Sequence, residues 1–177
     1  MGWTFKLHGG VAAALGTALS ALTALTWLPG TLPLLEQKWL LVASAMLLFP
    51  VFITAMVRMF LARAGQHVTG LAFRCLPRKV QAGLAAVLVS GAATMVFGTA
   101  GEGHLQSAET QGNRYFVLDT ASRPHVRIEV SQSQYQAVLE SDQRLMFGVF
   151  GVLFIGAAYL VLVAGELNRA DRASEPA

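Results

Sequence analysis

Four histidines, one cysteine and ten carboxylates are the residues through which this sequence could do chemistry, and their spacing limits what that chemistry is. Haem held in a helical bundle needs histidines on facing helices inside the bundle. His8, His67, His104 and His125 instead fall in the tails and loops flanking the long apolar runs, and no two stand three or four apart, the spacing that puts two ligands on one helix face. An internal disulfide needs a second cysteine, and Cys75, beside Arg74 and Arg78, is alone. Asp119, Ser122 and His125 are the residue types of a hydrolase triad, but no G-x-S-x-G elbow accompanies them. Glu140 and Asp142 are two apart, so on a helix they diverge rather than form a carboxylate pair. The expectation is a non-enzymatic protein with no catalytic residue, no metal site and no cofactor.

The elements that must position any functional side chain are long and apolar. Of 177 residues, 54% are hydrophobic and 13% charged, with a mean hydropathy of +0.53; a soluble domain carries roughly a quarter charged residues. That composition excludes a disordered chain, a disulfide-stapled secreted domain and a nucleic-acid binder. A hydrocarbon core of about 30 Å takes about 20 helical residues. Four uncharged runs have that length: 9–28, closed by Pro29-Gly30 and Pro33; 39–57, extended to about 60 and containing Pro50 as a static bend; 80–101; and 145–165. The first exceeds the apolar core of a cleaved signal peptide. The expected fold is an all-α integral membrane protein, a four-helix transmembrane bundle with helices at about 9–28, 39–60, 80–100 and from 145, the last followed by a tail to 177. Between the third and fourth helices lies a small extracytoplasmic β-β-α insertion.

Orientation follows the basic residues of the short loops. Segment 58–79 holds Arg58, Arg63, Arg74, Arg78 and Lys79 without an acid, which predicts a cytoplasmic loop. Lys6, Arg169 and Arg172 then join the same side, making eight basic residues inside against Lys38, Arg114, Arg123, Arg127 and Arg144 outside, with both termini cytoplasmic. The pI near 9.4 is a topology signal and not a polyanion site. No span holds an ionisable side chain of the kind that coupled transport retains, Arg58 and Glu166 standing at span ends.

Helices in lipid approach through small residues. The first span offers Ala12, Gly16, Ser20 and Ala24; the third Ala82, Ala86, Ser90, Thr94 and Gly98; the fourth Gly148, Gly151 and Gly156. These faces are expected to form the seam of the bundle, a homo-oligomer seam being the lesser alternative.

Segment 102–144 is the polar part of the chain. Residues 102–113, rich in Gly, Ser, Gln and Thr, read as a flexible link. The β-prone stretches 114–120 and 125–130, joined by Ala121-Ser122-Arg123-Pro124, read as a hairpin, with Val126, Ile128 and Val130 on one face and His125, Arg127 and Glu129 on the other. Ser131 and Gln134 have capping-box spacing, and Tyr135, Val138 and Leu139 start a helix that continues into the fourth span. About thirty residues cannot form a stable core alone. The module therefore leans on the bundle or on a partner, and its strands offer an edge for strand addition. Tyr115, Phe116, Arg123, His125, Arg127, Glu129 and Tyr135 are the expected partner-binding residues, with the aromatics and Arg144 doubling as anchors of the module.

Four spans with both tails inside and one outward polar loop before the last are similar to small immunity proteins that protect bacteria against pore-forming bacteriocins, a resemblance of topology and size carried by no motif. Ten Arg to three Lys suggest a high-GC bacterial source. The expected function is that of a small bacterial inner-membrane protein, embedded in the lipid bilayer, whose outward module binds a protein partner, as an accessory subunit or immunity-type protein. An oligomeric channel or small transporter is the alternative.

Overall fold

The computed structural model describes residues 2–27, 38–62, 66–98 and 104–174. Pro29, Gly30 and Pro33 as helix terminators, Arg63 of the basic loop, and residues 99–103 at the end of the third run and the start of the polar link lie outside them. The elements in order are α1 (Trp3–Leu25), α2 (Lys38–Leu61), α3 (Gln66–Arg74), α4 (Arg78–Gly98), β1 (Leu105–Gln111), β2 (Arg114–Asp119), β3 (Val126–Val130) and α5 (Gln132–Ser174).

Helix α5 organises the rest. Its 43 residues reach about 65 Å at 1.5 Å per residue, and it packs against α1, α2, α3, α4, β1 and β2. The helix expected to run from the polar loop into the last apolar run is thus one continuous rod, begun by the reciprocal capping box: the Gln134 amide donates to Ser131 Oγ and the Ser131 amide to Gln134 Oε1, both at 3.3 Å. Three helices are long and apolar enough to cross a membrane, namely α1, α2 over Trp39–Leu61, and α5. Their outward surface is apolar, with Val42, Met46, Phe49 and Ile53 exposed on α2 and Trp3, Trp27 and Trp39 exposed near helix ends. An exposed apolar surface of that extent marks contact with lipid or with another protein.

Contacts order the helices by direction. Gly9 of α1 lies against Leu162, Gly16 against Ile155 and the Gly151 carbonyl, and Thr26 against Arg144, so α1 runs antiparallel to α5. One end of the molecule therefore gathers the start of α1, α3 and the end of α5, while the sheet and the start of α5 occupy the other.

Glycine sets the α1–α5 distance. A Cβ on Gly16 would come within 2.8 Å of Ile155 and 3.0 Å of the Gly151 carbonyl; one on Gly9 would come within 2.7 Å of Leu162. Helix α4 joins through Gly91, whose missing Cβ leaves room for Val152. Ser20 stands where α1, α4 and α5 meet, its hydroxyl buried and without a hydrogen-bond partner among the described residues. Around this line lie Ala12, Ala55, Leu84, Ile155, Ala158 and Val161, with Leu19, Phe147 and Phe154 towards the sheet end.

The structure corrects three expectations and adds an element, α3, to the basic loop. Helix α1 begins at Trp3, six residues before the uncharged run, because Lys6 and His8 are accommodated within it. His8 Nε2 hydrogen-bonds the Val51 carbonyl at 3.1 Å, and Arg58 of α2 donates to the Thr4 carbonyl and lies over the Phe5 ring. On α4 the bundle-facing residues are Leu84 and Gly91 with Val80 and Val87; Ala82, Ala86 and Ser90 are exposed and Thr94 is half-buried, since seating Gly91 under Val152 turns the small stripe outward. The basic loop contains α3, which buries Ala72 and sets Phe73 on Tyr159, ring centres 5.3 Å apart. Finally, the insertion is β-β-β-α: the supposed flexible link contains β1, paired antiparallel with β2 in a sheet ordered β1-β2-β3.

Candidate functional site

The sheet is fixed to α5 by apolar contact on one face and by a carboxylate at one edge. Val117 and Leu105 are buried against Val138 of α5, with Ala108, Ile128 and Val130 around them. In the β2–β3 register Tyr115 pairs with Val130, Val117 with Ile128 and Asp119 with Val126, so these residues share the inward face. Three buried side chains make a small core, and the edge contact supplements it. Between Gln106 and Glu109, β1 carries a bulge that sets Ser107 and Ala108 opposite Val117 alone, with Ser107 at φ +55°. The bulge turns two successive amides towards α5, where Asp142 Oδ2 accepts from Ser107 at 2.9 Å and the carboxylate also takes the Ala108 amide. A charge-assisted bond of this kind contributes more than a neutral one.

A second staple joins α5 to α1. Arg144 donates through Nε to Thr26 Oγ1 at 2.9 Å and through Nη2 to the Thr26 carbonyl at 3.2 Å, and its guanidinium lies over the Trp27 ring. The end of α1, which has no basic residue in its last turn, thereby receives one from another helix.

The outward face is polar and internally paired. Glu109, Phe116, Glu129, Leu118 and Arg127 share it by register. Arg127 reaches Glu109 at 2.9 Å across β2 and covers the Phe116 ring at 4.5 Å, and Arg114 meets Glu129 at 3.7 Å. Exposed pairs like these contribute little stability individually.

Sequence reasoning named seven partner-binding residues, and the fold divides them. Phe116, Arg127 and Glu129 come together on the outward face. Arg123 and His125 are exposed on either side of Pro124, at the entry to β3. Tyr115 and Tyr135 face one another at 4.9 Å between sheet and α5, where they join the module to its stem. The small residues divide too: Gly16, Ser20 and Gly151 meet on the α1–α5 seam, Gly148 is buried, and Gly156 faces open space. Glu109 and Asp142 went unnamed as site residues. Their signal was Gly112-Asn113, a two-residue hairpin turn that makes the preceding residues a strand.

The two edges of the sheet differ. Strand β1 is bulged and held by Asp142. Strand β3 is regular over five residues, largely exposed, and has no second strand partner among the described residues. The link leading to it is fixed by Asp119, whose Oδ2 accepts from the Ser122 hydroxyl at 2.7 Å and Oδ1 from the Ala121 amide at 2.9 Å. Those two donors hold the Asp119 carboxyl below its ordinary range. Because Ser122 donates to this carboxylate, Asp119 and Ser122 form a turn and not part of a triad. Among the described residues no three His, Cys, Asp or Glu side chains gather as metal ligands. The chain matches no protein-family model, no curated protein and no solved structure.

Proposed function

We propose that this chain is a non-enzymatic bacterial inner-membrane protein that captures a protein partner by adding a strand to the β3 edge, as an accessory subunit or an immunity-type protein. In this reading α4 is the fourth span, both termini and α3 face the cytoplasm, and the sheet projects outside. Its support is the excess of Lys and Arg at the α3 end and the exposed tryptophans near both ends of the apolar surface. The observation that carries it is the contrast of edges: β1 is bent and occupied, whereas β3 is straight, exposed and held in place through β2. An unpaired strand is a template for another chain, with Arg127 and Phe116 on the face beside it.

The test is affinity capture of the full chain from gently solubilised membranes, compared with an Arg127→Pro/Glu129→Pro variant. A discrete partner co-purifying with the parent and lost from the variant, while helical content is unchanged, is the expected outcome. Equal recovery with both chains overturns the strand-addition reading. Orientation has its own reporter in the exposed Cys75, expected to resist a membrane-impermeant maleimide in intact cells and to react after lysis.

The alternative, an oligomeric channel or transporter, rests on the outward small face of α4, where Ala82, Ala86 and Ser90 are open to a second copy. It requires a defined oligomer in detergent and solute flux in liposomes.

A further inference from the structure

From the crossing at Ser20, Gly91 and Gly151 towards the α3 end, α1 and α4 part. A cleft of about 830 Å³ opens between them, with α5 as its floor, within the range of small-molecule and cofactor sites. Its walls are Ala13, Val80, Leu84, Val87, Ile155 and Leu162. Two glycines widen it. A Cβ on Gly10 or on Gly83 would meet nothing within 4 Å, so these positions are small without bringing helices together, unlike Gly9 and Gly16 on the same helix. The mouth carries Lys6 and Arg169 with Glu166 between charge types: Glu166 pairs with Arg169 at 3.4 Å and is largely covered, leaving a net positive rim.

The dimensions select an occupant. From Lys6 at the mouth to Thr17 at the far end the cleft follows eleven residues of α1, about 16 Å at 1.5 Å per residue. That is about half of a 30 Å hydrocarbon core, the depth of one leaflet. A charged rim at the surface and an apolar slot one leaflet deep match a lipid with an anionic head, and basic pockets between transmembrane helices on the cytoplasmic side hold such headgroups. We propose that the α1–α4 cleft is a binding site for an anionic phospholipid of that leaflet, with an acyl chain between the helices and the phosphate between Lys6 and Arg169. The inference rests on the membrane placement of the helices and is independent of the strand-addition reading.

The experiment is native mass spectrometry of the full-length protein in detergent supplied with phosphatidylglycerol or phosphatidylcholine of identical chains. Retention of phosphatidylglycerol is expected to exceed that of phosphatidylcholine by roughly fivefold, the effect of the rim's one net positive charge. Lys6→Gln/Arg169→Gln should reduce that preference to within twofold, whereas Lys79→Gln, an exposed charge that does not line the cleft, should leave it unchanged. Gly10→Leu/Gly83→Leu should lower retention of both lipids by filling the slot. Equal retention of the two lipids by the parent chain, a preference that survives Lys6→Gln/Arg169→Gln, or one removed equally by Lys79→Gln overturns the proposal. Lys6 and Arg169 are exposed, so their double variant tests it even where the leucines prevent folding.

Discussion

Between the Arg144–Thr26 staple and the start of α1, α5 meets glycine and aliphatic side chains; where it meets the sheet it meets two backbone amides with a carboxylate. Gly16 stands too close to Gly151 and Ile155 for one added methyl group. Asp142 reaches Ser107 and Ala108 across an edge where the buried apolar contact among the described residues is Leu105, Val117 and Val138. Surroundings explain the contrast. Helices apolar enough to cross a membrane gain nothing in lipid by hiding apolar side chains, and a seam between them depends on shape and van der Waals contact. At the sheet a small core leaves little surplus over chain entropy, and charge-assisted bonds supplement it. One rod thus carries two kinds of joint, and substitutions should separate them.

The largest effect is expected on the shape-dependent joint. Gly16→Leu places a branched side chain where even a Cβ falls 2.8 Å from Ile155 and 3.0 Å from the Gly151 carbonyl, and the carbonyl cannot turn aside. Overpacking costs about 1–3 kcal/mol where neighbours can shift and more where backbone blocks them. We expect at least about 3 kcal/mol, read as loss of the folded bundle in detergent, with the sheet lost too because it packs on α5, whose seam with α1 and whose Arg144–Thr26 bonds are removed. A sheet that keeps its amide protection in this variant would show that the joints are uncoupled.

Asp142→Ala attacks the other joint. It removes the acceptor of two amides that the bulge turns away from β2, at a cost of roughly 1.5–3 kcal/mol for bonds to a charged group. The loss should stay local. Amide exchange in β1 should accelerate at least tenfold while thermal unfolding of the helices shifts by no more than a few degrees. A matching fall in bundle stability would mean that the sheet contributes to the bundle more than its contacts indicate.

The two joints were unequally legible in the sequence. Uncharged runs locate helices because lipid excludes charge, and small residues at helical spacing point to a seam, so Gly16 and Ser20, with Gly151 alongside the Gly148 and Gly156 row, could be named from the sequence. Which side of α4 faces inward could not be read. Small residues occupy both sides of it, and the choice is made by Val152, a residue of another helix. Strand β1 was hidden for a related reason. Gln106, Ser107, Ala108 and Glu109 have little strand preference of their own, and they form a strand because β2 and Asp142 supply partners. Gly112-Asn113 was the visible part of that arrangement, and the polar composition before it obscured its meaning.

A control sharpens the first joint. Gly10 lies on α1 one residue from Gly9, yet its Cβ would meet nothing within 4 Å. Gly10→Ala should therefore stabilise the helix by up to about 1 kcal/mol, the ordinary helix-interior difference between the two residues, whereas Gly16→Ala should destabilise. Both are read from thermal unfolding in the same detergent. Equal signs at the two positions would mean that closeness to α5 does not govern the glycines of α1.

The smallest effect lies within the module, at the link that presents β3. Asp119 is held below its ordinary carboxyl range by the Ser122 hydroxyl and then the Ala121 amide, so protonation weakens the folded link. The sign follows from linkage: a carboxyl whose folded pKa is depressed contributes its full stabilisation above the unfolded value near 3.9, and that contribution is lost as pH falls through the folded pKa. The β2–β3 link should thus be unaffected from neutrality down to about pH 5 and loosen only in stronger acid. In the spectrum of the labelled protein, the Ala121 amide resonance should titrate at a pH below that of exposed carboxylates, and Asp119→Asn should abolish that titration while moving no β1 resonance beyond its partner Leu105 and the adjoining Gln106. A midpoint at or above the ordinary carboxyl value would show that the turn does not hold the carboxylate, and that β3 is presented by its pairing with β2 alone.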